Sequence, residues 1–141
     1  MIQTLTGINS TASALAAERV RMEVITQNIA NANTTRGLDG QPYQRQHVIF
    51  ENVLSQVQSA NGVSAHEVGV ARIEKDERAP RMVYSPGHPD ANDDGMVAMP
   101  NVNIHEEMAD MIASSRAYEA NLAVVKNAHT MALQTLAMGK R

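Results

Sequence analysis

The sequence predicts a mainly α-helical protein with a small β-rich insert, in which long N- and C-terminal helices form an antiparallel coiled-coil-like pair. Apolar residues recur every seven positions near both ends of the chain, which is typical of helices that pack along their length. All five prolines lie between these two regions, where short β-branched runs alternate with glycine and proline. Three segments are therefore predicted: a helical arm at 1–37, a β-rich middle domain at 38–102 and a second helical arm at 103–141.

The N-terminal arm carries a helical stripe with a period of seven. Its members are Ile8, Leu15, Met22 and Ile29. Asn9 or Ser10 is suited to cap the start of this helix, because their side chains accept hydrogen bonds from free backbone N–H groups. A second, alanine-rich face runs beside the stripe, through Ala14, Ala17, Val20 and Val24. The asparagine-rich stretch 28–34 is expected to end the helix through a residue in the left-handed conformation.

The C-terminal arm has the longest regular pattern in the sequence. One set of positions seven apart consists of Ile104, Met111, Tyr118, Val125 and Ala132. The matching set consists of Met108, Ser115, Leu122, His129 and Leu136. Five heptads predict a coiled-coil seam on a helix over 104–138, about 50 Å long at 1.5 Å per residue. Asn103 followed by Glu106 resembles a capping box, and acidic residues in the first turn suit the helix dipole, as do Lys140 and Arg141 near the end.

The middle segment predicts four short strands. These are placed at 48–50, 63–73, 81–84 and 96–99, each bounded by turn-forming residues. With a single Phe, three Tyr and no Trp, a core built from this segment would be thin. Composition alone leaves two interpretations open. The chain is either a modestly stable helical protein or one that completes its core with neighbouring molecules.

Charge and composition exclude several classes of function. A net charge of −3 without a Lys/Arg cluster argues against nucleic acid as a partner. No cysteine is present, so disulfides and thiolate metal sites are excluded. The first residues lack the basic start and apolar run of a cleaved secretory signal, and we expect no transmembrane segment, since no apolar run approaches about 20 residues.

Two segments invite comparison with metal sites, and both comparisons fail. Asp90 to Gly95 matches the first half of a calcium loop, but Asn101 stands where the bidentate glutamate is required. A polar turn is the better interpretation. His105 begins a zinc-protease-like pattern, yet Ala109 occupies the place of the second histidine. His129 is interpreted as a partly buried polar residue that sets helix register. No nucleophile or phosphate-binding motif is found, so we expect neither a cofactor nor an enzyme activity.

The two ends of the chain together resemble one protein family. Ser13-Ala14-Leu15 and the stretch from Gln27 to Thr34 resemble the N-terminal signature of bacterial flagellar rod and hook axial proteins. The segment 115–122, Ser-Arg-Ala-Tyr-Glu-Ala-Asn-Leu, with Lys126 after it, resembles their C-terminal signature. The short middle segment, with its stretches 39–43, 83–91 and 95–103, resembles the proximal rod members of this family.

This resemblance implies a structural subunit of the flagellar basal-body rod. Such a subunit is exported by the flagellar secretion apparatus without signal cleavage, and it packs against other rod proteins and further copies of itself through both helical arms, while the rod crosses the periplasm. The alternatives are another rod or axial protein of this family, or a soluble coiled-coil adaptor that does not polymerise. The residues expected at the assembly interface are Leu15, Met22, Asn28, Ile29, Asn31, Asn33, Met111, Tyr118, Leu122 and Val125.

Overall fold

The fold is described from a computed structural model that covers residues 2–37, 39–55 and 65–139. Helix α1 spans Ile2–Ala30 and helix α2 spans Ile104–Met138. Between them lie the strands β1 (Gln46–Ser55), β2 (Ala65–Lys75), β3 (Arg81–Tyr84) and β4 (Met96–Met99). The predicted fold class is therefore confirmed: two long helices pack together around a small β-rich insert.

Both predicted helices are confirmed, and only α1 differs from the prediction at its ends. Helix α2 covers the predicted residues, and the Asn103 side chain caps it by accepting a hydrogen bond from the His105 N–H at 3.1 Å. Helix α1 begins at Ile2, so the predicted caps Asn9 and Ser10 lie inside it, and that prediction is wrong. No non-glycine residue of the described ranges has a positive φ, so asparagine in the left-handed conformation does not end α1. Consecutive turns at Asn31–Asn33 end it instead.

The four predicted strands form two separate antiparallel ribbons. β1 pairs with β2 from Gln46↔Lys75 to Ser55↔Ala65, with a register shift between Ile49 and Phe50. β3 pairs with β4 from Arg81↔Met99 to Tyr84↔Met96. The predicted start of the second strand at Val63 lies outside the described residues, as do Lys140 and Arg141.

The β1–β2 ribbon lies along one side of α1, and α2 lies along another. Near its start, β1 is bonded to Asn28, and further along the Val68 N–H of β2 donates to Ser13 Oγ at 3.2 Å. From Asn28 to Ser13 the axis of α1 covers about 22 Å, which a strand covers in six or seven residues. The ribbon is therefore parallel to the α1 axis, and α1 is the central element of the fold.

The apolar core is small, and most of its buried residues lie on α1 or just after it. Its fully buried apolar residues are Ala17, Val24, Ile25, Ala32, Val97 and Val102. Within the described residues, neither helix has an apolar stretch of the length and hydropathy that crossing a bilayer requires. A core of this size leaves large parts of both helices open to contact.

Candidate assembly interface

Helix α2 has two different faces, and polar contacts identify the one that packs on α1. Ser114, fully buried, donates to the Glu18 carboxylate at 2.6 Å, and Glu107, also fully buried, accepts from Asn28 of α1 at 2.9 Å. Because Glu107 and Ser114 are seven residues apart, they lie on the same side of the helix. Met111 lies between them in sequence and is half-buried, so this side faces α1.

Only some of the residues in the predicted α2 seam are therefore covered by α1 within the chain. Met111, Tyr118 and Val125 are half-buried beside the buried positions 107 and 114. Ile104 and Ala132 of the same set are exposed. The second set is mostly exposed: Met108 is 53% exposed, Leu122, His129 and Leu136 are exposed as well, and Ser115 is half-buried. The interpretation of His129 as partly buried is wrong in the single chain. Two apolar faces on one helix are what a subunit with neighbours on more than one side requires.

An outward apolar stripe begins at the first turn of α2. Ile104, Met108, Ile112 and Leu122 fall within about a 90° sector of the helix, and all four are exposed. Burial by α1 decreases towards the end of α2, where every residue from 129 to 139 is exposed. Besides Leu122, the large apolar residues exposed in the last half of α2 are Val124, Met131, Leu133, Leu136 and Met138. An exposed apolar surface of this length is the usual mark of an interface.

On α1, the core uses the alanine-rich face and not the heptad stripe. Ala17 and Val24 of that face are each 4% exposed. Leu15, Met22 and Ile29, which the heptad predicts for the interface, are half-buried at the margin of the helix pair. They therefore keep surface that a neighbouring molecule can cover. Of the three predicted asparagines, Asn33 is exposed and Asn31 donates to the Gln27 carbonyl at 2.9 Å.

Asn28 has a different position from the other predicted interface residues, because it is 1% exposed. Its Nδ2 donates to the Gln46 carbonyl at 2.8 Å and to Glu107 Oε2 at 2.9 Å. Its Oδ1 accepts from the Gln46 N–H and from the Tyr43 hydroxyl, both at 2.9 Å. The amide thus joins α1, the start of β1 and α2 by four hydrogen bonds. Its role is within the subunit.

Arg45 completes this polar cluster from the other side. Its Nε donates to Glu107 Oε1 at 2.5 Å, so both oxygens of the buried carboxylate have partners. Asp110 of α2 and Asp76 also lie within 4 Å of the Arg45 guanidinium. A buried carboxylate is tolerated only when it is paired and hydrogen-bonded in this way. We refer to Asn28, Tyr43, Arg45 and Glu107 as the polar cluster.

Three groups in this region have shifted pKa values. Burial, followed by the negative charge of Glu107, raises the pKa of the Tyr43 hydroxyl above its ordinary value. Hydrogen bonds from the side chain and the backbone of Arg78 lower the pKa of Asp76, and the same carboxylate raises the pKa of Arg78. Asp76 is thereby held ionised beside Arg45. Nearby, Asn101 accepts from the Arg45 N–H at 2.7 Å and donates to the carbonyls of Asp76 and Arg78.

The sequence analysis missed Tyr43, Arg45 and Glu107 as a unit. A signal was present, since positions 107, 114, 121 and 128 are also seven apart, and the first two are buried while the last two are half-buried. They read Glu, Ser, Asn and Ala, so a search for apolar heptads does not select them. The contact between the helices has a polar and small-residue centre with larger apolar residues beside it.

The acidic turn at 90–95 is a polar turn, as expected. The Asp90 carboxylate accepts from the Thr35 hydroxyl at 2.8 Å and lies 3.5 Å from Arg36. Asn92 Oδ1 accepts from the backbone N–H groups of Asp94 and Met96, which closes the turn. Within the described ranges, no group of three or more His, Asp or Glu residues is arranged to hold a metal ion.

Comparison with known proteins agrees with this arrangement. Residues 8–36 match the family model described as flagella basal body rod protein, and residues 93–138 match that of the flagellar basal body rod FlgEFG protein C-terminal region. The first match covers most of α1, and the second covers β4 and α2.

Relatives named flagellar basal-body rod protein FlgC resemble nearly the whole chain. The protein of Borreliella burgdorferi is 41% identical over 93% of this chain and 94% of its own length. The one of Salmonella typhimurium is 40% identical over 91% and 92%, and that of Bacillus subtilis is 38% identical over 94% and 96%. Together with two packed terminal helices around a short β-rich insert, these similarities show that the chain belongs to the FlgC family of flagellar basal-body rod proteins.

Proposed function

We propose that this chain is a structural subunit of the proximal rod of the bacterial flagellar basal body. In this role it assembles helically with further copies of itself and with other rod proteins, transmits motor torque and supports motility. The observation that carries the proposal is the second, exposed apolar face of α2, which lies in a segment that matches the rod family. A protein with a small core and a long uncovered apolar helix gains burial by joining neighbours.

The mechanism we propose divides the chain by role. Residues 1–37 and 103–141 act as assembly arms, and residues 38–102 form a middle domain that faces outward. Burial of apolar surface contributes about 25 cal/mol per Å², so covering the α2 stripe stabilises each added subunit. The polar cluster fixes how α1, α2 and β1 are arranged before assembly, because a buried, satisfied network tolerates one geometry.

The interface residues we propose are those that keep exposed or half-exposed surface. On α1 they are Leu15, Met22 and Ile29, and in the turns just after it they are Asn31 and Asn33. On α2 they are Met111, Tyr118, Leu122 and Val125. Contacts of this kind are heterologous, with different surfaces meeting, and they extend into an open helical array. The role is structural, and we expect no turnover of a small molecule.

We further propose that the subunit reaches the rod through the flagellar export apparatus without removal of a signal peptide. The sharpest test of the function is mass spectrometry of purified hook–basal bodies from the source organism. We expect the intact chain, including its first residues, at a stoichiometry comparable to other rod subunits. Recovery of the chain only from the soluble fraction would refute the proposal and favour a non-polymerising adaptor.

A further inference from the structure

The β3–β4 ribbon carries an exposed apolar surface that the fold does not use. Its inner face is buried through Val97, which is 1% exposed, while Met82 and Tyr84 on the outer face are 51% and 70% exposed. Met96 and Ala98 lie opposite these two residues in the register of the ribbon. We call these four residues the ribbon surface. Tyrosine and methionine are enriched at interface centres, and this chain has only three tyrosines.

The Tyr84 ring is held in place although it is exposed. Gly95 has a φ of +74°, and a Cβ placed there would lie 3.0 Å from Tyr84 Cε2 and 3.1 Å from Pro86 Cβ. The ring therefore packs over a glycine that must stay a glycine for both conformational and steric reasons. An aromatic side chain that is already ordered loses little entropy on binding, so it suits a contact site.

Acidic residues lie in the turn beside the ribbon surface, while the exposed Arg81 precedes Met82 at the other end of β3. Asp93 and Asp94 are exposed in the turn that joins β3 to β4, and from residue 82 to residue 105 the sequence contains no Lys or Arg. A partner with an apolar surface and positive charge fits this surface best.

The last half of α2 has the complementary properties. Over residues 120–138, which we call the α2 tail, Lys126 is the only charged residue, and Lys140 and Arg141 follow in the sequence. Leu133 and Leu136 of the tail are 55% and 60% exposed. Apolar side chains with positive charge and no carboxylate are what the ribbon surface requires.

Within one molecule the two surfaces are far apart. The ribbon lies at the end of the helix pair where α1 ends and α2 begins, since Asp90 bonds Thr35 just after α1 and β4 ends at Met99. At about 1.5 Å per residue, Leu133 lies about 43 Å from Ile104 along the helix axis. The tail can therefore reach a ribbon surface only on another molecule.

We infer that the α2 tail of one copy docks on the ribbon surface of the next copy, with Tyr84 at the centre of the contact. The two surfaces differ and lie at opposite ends of an elongated subunit, so the contact is heterologous and repeats without closing. This inference rests on the proposed function, because it names which surfaces of two copies meet in the rod.

The absence of cysteine from the chain permits a direct test in assembled rods. Cells lacking the native gene would express two versions together, one with Met82→Cys and one with Gln134→Cys, and purified basal bodies would be treated with a short bismaleimide linker. We expect a cross-linked pair of the two versions. A pairing of Ile73→Cys with Gln134→Cys is the matched control, because Ile73 is similarly exposed, at 48%, but lies on the other ribbon. It should give little product.

A second substitution tests the role of Tyr84. Tyr84→Ala added to the Met82→Cys version should lower the cross-linked yield about tenfold, as loss of an interface centre does, whereas Tyr84→Phe should keep it. Circular dichroism of the purified variants checks that both keep their helices.

The outcomes separate this contact from the rod function itself. In one outcome, basal bodies contain the chain, but the Met82→Cys and Gln134→Cys pair gives no more cross-linked product than the Ile73→Cys control. This result would overturn the proposed contact and leave the rod role intact. A yield that Tyr84→Ala leaves unchanged in a folded variant would also overturn it. Basal bodies without the chain would overturn both.

Discussion

Replacing Asn28 by alanine is the substitution that tests the polar cluster most directly. The amide makes four hydrogen bonds, to both backbone groups of Gln46, to Tyr43 and to Glu107. Asn28→Ala removes one hydrogen bond from each of these four groups, and water cannot replace it easily because Asn28 is only 1% exposed. An unsatisfied buried group costs about 1–3 kcal/mol, with the larger values for charged groups such as Glu107.

We expect Asn28→Ala to lower the free energy of unfolding by about 3–5 kcal/mol, because three neutral bonds and one bond to a carboxylate are lost together. This is a large share of the about 5–15 kcal/mol that stabilises a typical domain. Urea unfolding of the purified full-length chain, followed by circular dichroism at 222 nm, measures the change. Loss of helical signal at lower urea with an unchanged slope would indicate lower stability in the same folded state.

Asn31→Ala provides the matched control, because Asn31 lies one turn further along and its amide donates to the Gln27 carbonyl, four residues before it. Its contacts are local and near solvent, so we expect a loss of less than about 1 kcal/mol. If Asn28→Ala and Asn31→Ala lowered the free energy of unfolding equally, the polar cluster would not be what holds α1, β1 and α2 together.

Two further predictions concern the exposed part of α2, and two concern the pKa shifts of Tyr43 and Asp76. Leu122→Asp places a charge on the outward stripe and should abolish rod assembly and swimming, whereas Leu122→Met should swim normally; normal motility of the aspartate variant would show that the stripe is not an interface. Hydrogen exchange over residues 120–138 should be faster in the free chain than in assembled rods, because neighbours then cover this stretch, and equal protection in the two would show that the stretch is not an interface. The raised pKa of Tyr43 means that folding favours its protonated form, so stability should fall as the pH rises above about 10, and Tyr43→Phe should remove this loss. The lowered pKa of Asp76 means the opposite, with stability present above about pH 4 and lost on further acidification, and Asp76→Asn or Arg78→Ala should flatten that acid limb of the unfolding curve.

The helices and strands could be predicted from the sequence because their signals are local. The heptads of the C-terminal arm and the cap at Asn103 predict α2 over the residues that the structure shows. Proline and glycine punctuation predicts four strands, and all four are present. Each of these features depends on neighbours within a few residues, through backbone hydrogen bonds and side-chain spacing. The family resemblance could also be read at this level, since it depends on motifs at the two ends.

The sequence could not decide which face of each helix is buried inside the chain. Both helices have two faces that tolerate contact. Periodicity does not distinguish a face that is buried by the other helix of the same chain from one that a neighbouring molecule buries. The structure assigns the alanine-rich face of α1 to the core, and on α2 it leaves Met108 and Leu122 outside. That choice depends on Asn28, Arg45 and Glu107, which are up to 79 residues apart in sequence. Only the tertiary structure brings these three residues together. The buried Glu107 carboxylate needs hydrogen bonds from both Arg45 and Asn28, and no local pattern shows that the three side chains meet.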